Sequence, residues 1–248
     1  MSAKNRGAVG RLALLGATLL WGSSFVVLKT TLDSVPTLWV LAIRFTGAAL
    51  LMGIPCIKQL RKIDAGCLKA GAMMGAALYA AYTLQTFGLE YTTPGKNAFL
   101  TATYCVLVPF LWWAFAHKRP DRYNISAALV CITGMALVSL SGDFGIGLGE
   151  GLTMCCGLFY ALHIIFTSRG VEKYGVGVLT TIQFATAALL CWISAPISAP
   201  FPTAVPASAA GRLERGRHSA AVAPFSASFM WKVNLPMPLL RRTVSSGK

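Results

Sequence analysis

Residues 41–51 read LAIRFTGAALL, and residues 180–190 read TTIQFATAALL. Ile43, Phe45, Ala48, Ala49, Leu50 and Leu51 match Ile182, Phe184, Ala187, Ala188, Leu189 and Leu190, six identities in eleven positions at an offset of 139 residues. The same offset sets Trp21 on Tyr160, Gly22 on Ala161 and Ser24 on His163 without a gap. Ala and Leu are common in apolar helices, so a single match means little. A register kept over two apolar segments and the loop between them means more, and it predicts an internal repeat.

The stretches around these two copies are apolar as well. Of 248 residues, 55% are hydrophobic and 12% charged, about half the charge of a soluble domain. The charges fall in clumps, and a bilayer core of about 30 Å needs about 20 mainly apolar residues to cross it. Seven gaps between clumps meet or approach that length: 12–28, 37–54, 70–89, 97–116, 125–140, 151–166 and 176–193. These predict an all-α, polytopic membrane protein. The run from Leu12 resembles a signal-peptide core, but it is long and more spans follow, so it reads as a retained first helix.

Loop charge gives the orientation. Twelve Lys and Arg lie in the N-terminal tail and the second, fourth and sixth connections, against Lys29 and Lys96 in the first, third and fifth. Basic residues favour the cytoplasmic side, which places the N-terminus inside. The repeat then equates spans one and two with spans six and seven. Five crossings separate the copies, so the second must be inverted. Inverted halves have two near-equivalent packings, the arrangement of secondary transporters.

Four stretches carry a family resemblance as a set: LLWGSSFVVLK (19–29), LAIRFTGAALL (41–51), GLEYTTPGKNAFLTATYCVLVPFL (88–111) and LGEGLTMCCGLFYALHIIFTSRG (148–170). Over about residues 8–195 the chain resembles the EamA type of the drug/metabolite transporter superfamily. The resemblance implies two inverted five-helix repeats and movement of small metabolites or drugs without ATP. It divides the chain into a complete first repeat at 8–141, a two-helix part of the second at 148–195, and a departing tail at 196–248. Seven of the twelve prolines and seven Lys or Arg lie in that tail, which reads as disordered and suggests a shifted frame or a truncated gene. On this reading, net transport by the 248-residue form is expected to be weak or absent.

Arg44 is the one charge well inside a span, where a charge costs about 2.5–3.5 kcal/mol on insertion scales. No Asp or Glu lies within the seven spans to pair with it. It reads either as a cation facing a wet cavity for an anionic or zwitterionic solute, or as a structural Arg satisfied by carbonyls, water or headgroups. Its repeat mate is Gln183. Trp21 and Ser24 share a helix face, as do Tyr160 and His163, their mates. Tyr79, Tyr82, Gln85 and Thr86 cluster on the third span, behind Gly71 and Gly75, a small-xxx-small pair suited to close packing. Thr93 can cap the fourth span with Pro94 at its first position, and Asn97, Thr101 and Tyr104 follow on one face. A kink is expected at Pro109. The candidate cavity is therefore Trp21, Ser24, Arg44, Tyr82, Gln85, Tyr104 and His163, weighed against plain helix packing for each.

No enzyme constellation is present: the three histidines are scattered, and GxxxxGK[ST] and HExxH are both missing. The seven cysteines have no metal spacing. No cofactor or metal is expected. The net charge of +14 sits at span ends, which argues against nucleic acid. The expected partners are the lipid bilayer and a small solute, with a homodimer as a further possibility. The expected place is the cell (inner) membrane. A seven-helix receptor is disfavoured by the N-inside orientation. A non-transporting structural membrane protein is the stronger competitor.

Overall fold

The computed structural model describes residues 3–61, 63–117, 119–140 and 147–201. The reading of the tail beyond residue 201 lies outside the described residues. The rest is helical: α1 (Ala3–Leu32), α2 (Thr37–Leu60), α3 (Ala65–Tyr91), α4 (Pro94–Thr101), α5 (Thr103–Ala116), α6 (Arg122–Leu140), α7 (Leu148–Tyr174) and α8 (Val176–Ser198). Each expected span falls inside a helix, except that the fourth is divided between α4 and α5. By length and composition, four segments can cross a membrane: α2, Pro94–Phe115 through α4 and α5, α7 and α8. Leu19–Leu32 in α1 is a shorter apolar stretch.

Local chemistry sets the helix ends. The Asp64 carboxylate accepts from the Cys67 N–H at 2.9 Å and caps α3. Thr93 caps α4 ahead of Pro94, as its sequence predicts. Gly175 alone joins α7 to α8, at φ +82°, a conformation that costs a residue with a Cβ. The interruption in the fourth span is at Ala102, whereas α5 continues through Pro109. The hydroxyls of Thr101 and Thr103 compete for helix carbonyls on either side of the break, bonding Asn97 O at 2.8 Å and Leu100 O at 2.5 Å.

Named contacts fix the relative directions of the helices. Trp39 near the start of α2 bonds Ala199 O beyond the end of α8, and Cys56 near the end of α2 meets Gly177 at the start of α8. These two helices are antiparallel. So are α3 and α7, which meet through Gly88 and Gly149 at one end and Met74 and Gly170 towards the other. Parallel pairs are α3 with α8, through Gly71–Ile182 and Tyr79–Ser194, and α4–α5 with α7, through Asn97–Thr153 and Trp112–Arg169. α6 opposes α4, with Gly134 against Phe99 and Cys131 against Ala102. The C-terminal end of α1 lies on that of α3, where Lys29 Nζ donates to Leu89 O at 2.6 Å and Glu90 O at 2.7 Å. Direction therefore alternates along the chain when α4 and α5 count as one pass.

Small residues let the central helices approach. A Cβ on Gly71 would lie 2.6 Å from Ile182 Cβ, and one on Gly75 would lie 2.6 Å from Gln183 O. A Cβ on Gly88 would meet Gly149 O at 2.8 Å, and one on Gly149 would meet Gly88 O at the same distance. The core that results joins Leu41, Phe45 and Ala48 of α2, Leu78, Ala81 and Tyr82 of α3, Tyr160 of α7 and Phe184, Ala187 and Cys191 of α8. Large aliphatic side chains face outward from the same helices, among them Leu50, Ile54, Leu129, Val130, Ile193 and Ile197. An apolar exterior around a core that holds polar side chains is what a lipid solvent selects.

Candidate functional site

Arg44 stands on α2 at the edge of this core, half-buried. Its guanidinium carbon lies 5.9 Å from the centroid of the Tyr82 ring, within cation–π range. Among the described residues, no carboxylate or hydrogen-bond acceptor answers its five donors. Leu41, Arg44, Phe45, Tyr82 and Phe184 line a cleft beside it. Its free volume of about 10 Å³ is room for about one water. Aromatic rings form its wall: Phe45 stacks on Phe184 at 6.1 Å and meets Tyr82 edge-on at 5.2 Å, and Tyr82 meets Tyr160 at 5.5 Å.

Behind the cleft runs a buried polar chain linking α3, α4 and α7. Tyr160 OH donates to Gln85 Oε1 at 2.9 Å, and Gln85 Nε2 donates to Thr101 Oγ1 at 2.8 Å. Asn97 Nδ2 donates to Gln85 O at 3.0 Å and Thr153 Oγ1 at 2.8 Å. Each group is fully or almost fully buried, so each bond avoids an unpaired polar atom in a low dielectric. Three buried oxygens have no partner among the described residues: Asn97 Oδ1, Thr83 Oγ1 and Thr86 Oγ1.

The structure distributes the seven expected cavity residues unevenly. Arg44, Tyr82, Gln85 and Tyr104 gather around Tyr160, with Tyr104 6.0 Å from it ring to ring. His163 lies one turn along α7, where its Nε2 pairs with Gln183 Oε1 at 2.8 Å. Trp21 packs on Phe25 and the core, and Ser24 donates to Trp21 O at 2.6 Å, so its hydroxyl serves its own helix. Tyr160, the hub, is absent from the expected set, as are Phe45, Phe184 and Thr153. Tyr160 carried a signal: it is the repeat mate of Trp21 and shares a face with His163. Thr153 carried none, because one Thr on an apolar helix has no pattern.

A second polar group ties the helix ends where α1 and α3 finish. Besides the Lys29 bonds, Thr37 at the start of α2 donates to Glu90. Thr92 donates to Glu150 Oε1 at 2.7 Å, and Lys96 approaches the same oxygen at 4.0 Å. Five helices are drawn together at that end. No group of His, Cys, Asp and Glu suited to a metal ion occurs among the described residues.

An all-helical bundle with an apolar exterior and alternating helix directions has the form of a multi-pass membrane protein. The sequence pattern of the EamA-like transporter family matches residues 8–140, more than half of the chain. The chain belongs to the EamA-like transporter family. It is similar to an uncharacterized transporter of Archaeoglobus fulgidus, 34% identical over 158 residues that cover 64% of this chain and 48% of the relative. It is also similar to the uncharacterized transporter YetK of Bacillus subtilis, 28% identical over 145 residues, 56% of this chain and 42% of the relative. YrdR of the same bacterium is 24% identical over 174 residues, 65% and 54% of the two chains. This EamA-like chain thus spans about half the length of the curated relatives it matches. It is a multi-pass membrane protein of a transporter family. The Arg44 cleft lies at the contact of α2, α3 and α8 in this EamA-like bundle.

Proposed function

We propose that the chain moves small anionic solutes across the cell (inner) membrane, with Arg44 as the anchoring charge. The observation that carries this is the guanidinium that opens on a cleft where, among the described residues, no carboxylate neutralises it. An unpaired charge is costly inside a membrane-spanning bundle, and a bound anion would offset the cost. The N-terminus lies in the cytoplasm, in keeping with the distribution of Lys and Arg among the loops.

The cleft lies between two inverted repeats, one at 8–141 and part of another at 148–195. Two features support this: α2 and α8 pack antiparallel, and Phe45 stacks on Phe184, its mate at the 139-residue offset. A two-fold axis in the membrane plane brings such a pair together. Flipped halves packed on each other can rock to open on either side, the usual basis of alternating access.

A second reading has the chain bind its anion without moving it. The small free volume of the cleft favours that reading, because with room for about one water this conformation offers a solute no open path across the bundle. Counterflow in proteoliposomes separates the two. Vesicles loaded with an anion should exchange it for the labelled anion when the chain is present, and cations and neutral sugars should not exchange. Binding without exchange would support the second reading. Exchange of cations but not anions would refute the assignment of Arg44.

A further inference from the structure

We infer that the Arg44 cleft is built for a monocarboxylate carried on an apolar, preferably planar, body. The inference rests on the reading of Arg44 as a solute site and narrows its class. Three observations exclude the neighbouring classes of anion.

The first is charge count. The cleft holds one guanidinium, and the next ring upward on α7, His163, is already paired with Gln183 at 2.8 Å. A monoanion neutralises one guanidinium, and its two oxygens fit the planar fork. A phosphate dianion would leave a net negative charge in the core, where bare charge is most costly.

The second concerns ammonium groups. An amino acid brings an α-ammonium that needs a carboxylate or a free aromatic face. Among the described residues the cleft has no carboxylate. The Tyr82 ring lies 5.9 Å from the Arg44 guanidinium and so is already engaged by a cation.

The third concerns the walls. Leu41, Phe45 and Phe184 are buried apolar side chains, and Phe45 and Phe184 touch across the α2–α8 contact. With room for only about one water, the cleft must part these rings to admit a solute. Parting them exposes apolar surface. An apolar body covers that surface again, whereas a polar body leaves it wet. A flat ring does so with least displacement.

The test uses the full chain in lipid nanodiscs and labelled benzoate as probe. Benzoate should bind saturably. Acetate, phenyl phosphate and L-phenylalanine should each compete more than about tenfold more weakly, and benzylamine not at all. Arg44→Gln should abolish binding, Arg44→Lys should retain a fraction of it, and Phe184→Ser should erase the preference for benzoate over acetate. Arg44→Lys and Phe184→Ser keep the test open if Arg44→Gln fails to assemble. If acetate, phenyl phosphate or L-phenylalanine competes as well as benzoate and its binding needs Arg44, the monocarboxylate class is overturned while the anion site stands. If no anion binds in an Arg44-dependent way, both fall.

Discussion

Phe45 and Phe184 stack with their ring centroids 6.1 Å apart and their planes 27° from parallel, at the crossing of two antiparallel helices. They occupy equivalent places in the two similar stretches of sequence. A residue meets its own mate only near a symmetry axis, so this pair marks where an axis between the halves would run. Arg44 precedes Phe45, and Gln183 precedes Phe184. The two sides of the crossing thus carry a charged and an uncharged polar group at matching positions.

The antiparallel register of α2 and α8 can be read with one new cysteine. A Cβ on Gly177 would lie 2.7 Å from Cys56 Sγ. Gly177→Cys should therefore form a disulfide with Cys56 under mild oxidation, seen as a linked peptide in mass spectrometry. The link should vanish in a Cys56→Ala background. Persistent free thiols at both positions would show that the helices do not cross as described.

Close helix contact predicts which glycines tolerate a methyl group. Gly75→Ala would press on Gln183 O and Thr186, and overpacking of this kind costs about 1–3 kcal/mol. Gly151→Ala, with nothing within 4 Å of the added carbon, should be neutral or slightly stabilising. Thermal unfolding in detergent compares them. Equal stability of the two variants would contradict the packing of α3 on α8.

Asn97 joins α4 to α3 and α7 through one amide. Asn97→Leu removes its bonds to Gln85 O and Thr153 Oγ1, and interhelical bonds in membranes are worth about 0.6–1.7 kcal/mol each. The variant should unfold at lower temperature than Asn124→Leu, which changes an exposed residue. A variant as stable as the parent would mean that the buried polar chain does not hold the bundle together.

Orientation is testable at two exposed loop positions. Asp33 joins α1 to α2, and Ile63 joins α2 to α3. In intact cells a membrane-impermeant maleimide should label Asp33→Cys and spare Ile63→Cys until the membrane is opened. The reverse pattern would invert the topology drawn from loop charge.

Much of the architecture was legible because lipid imposes one rule on the sequence: long apolar stretches separated by clumped charge. That rule located every span, though not the division of the fourth into α4 and α5, and the Gly71 and Gly75 spacing marked a close contact that the structure places against α8. The rule does not say which polar face meets which. Gln85 was visible as polar, yet its partners Thr101 and Tyr160 depend on how α4 and α7 pack on α3. Ser24 reads as a cavity hydroxyl, but Trp21 O lies one turn away and accepts its hydrogen bond. Pro109 predicts a kink and α5 runs on through it, whereas the interruption at Ala102 lies between threonines whose hydroxyls compete for backbone carbonyls, a feature with no sequence signal of its own.

The central claim is that Arg44 serves a solute and not the fold. Thermal stability and anion binding, measured together on Arg44→Gln in the same nanodisc preparation, test it most directly. Arg44 has no acceptor among the described residues, and a charge within a span costs about 2.5–3.5 kcal/mol on insertion scales. Its replacement by a neutral amide is therefore expected to leave the unfolding temperature unchanged or raised, and to abolish saturable benzoate binding. A variant that unfolds at lower temperature yet binds benzoate like the parent would contradict the account and make Arg44 a structural residue.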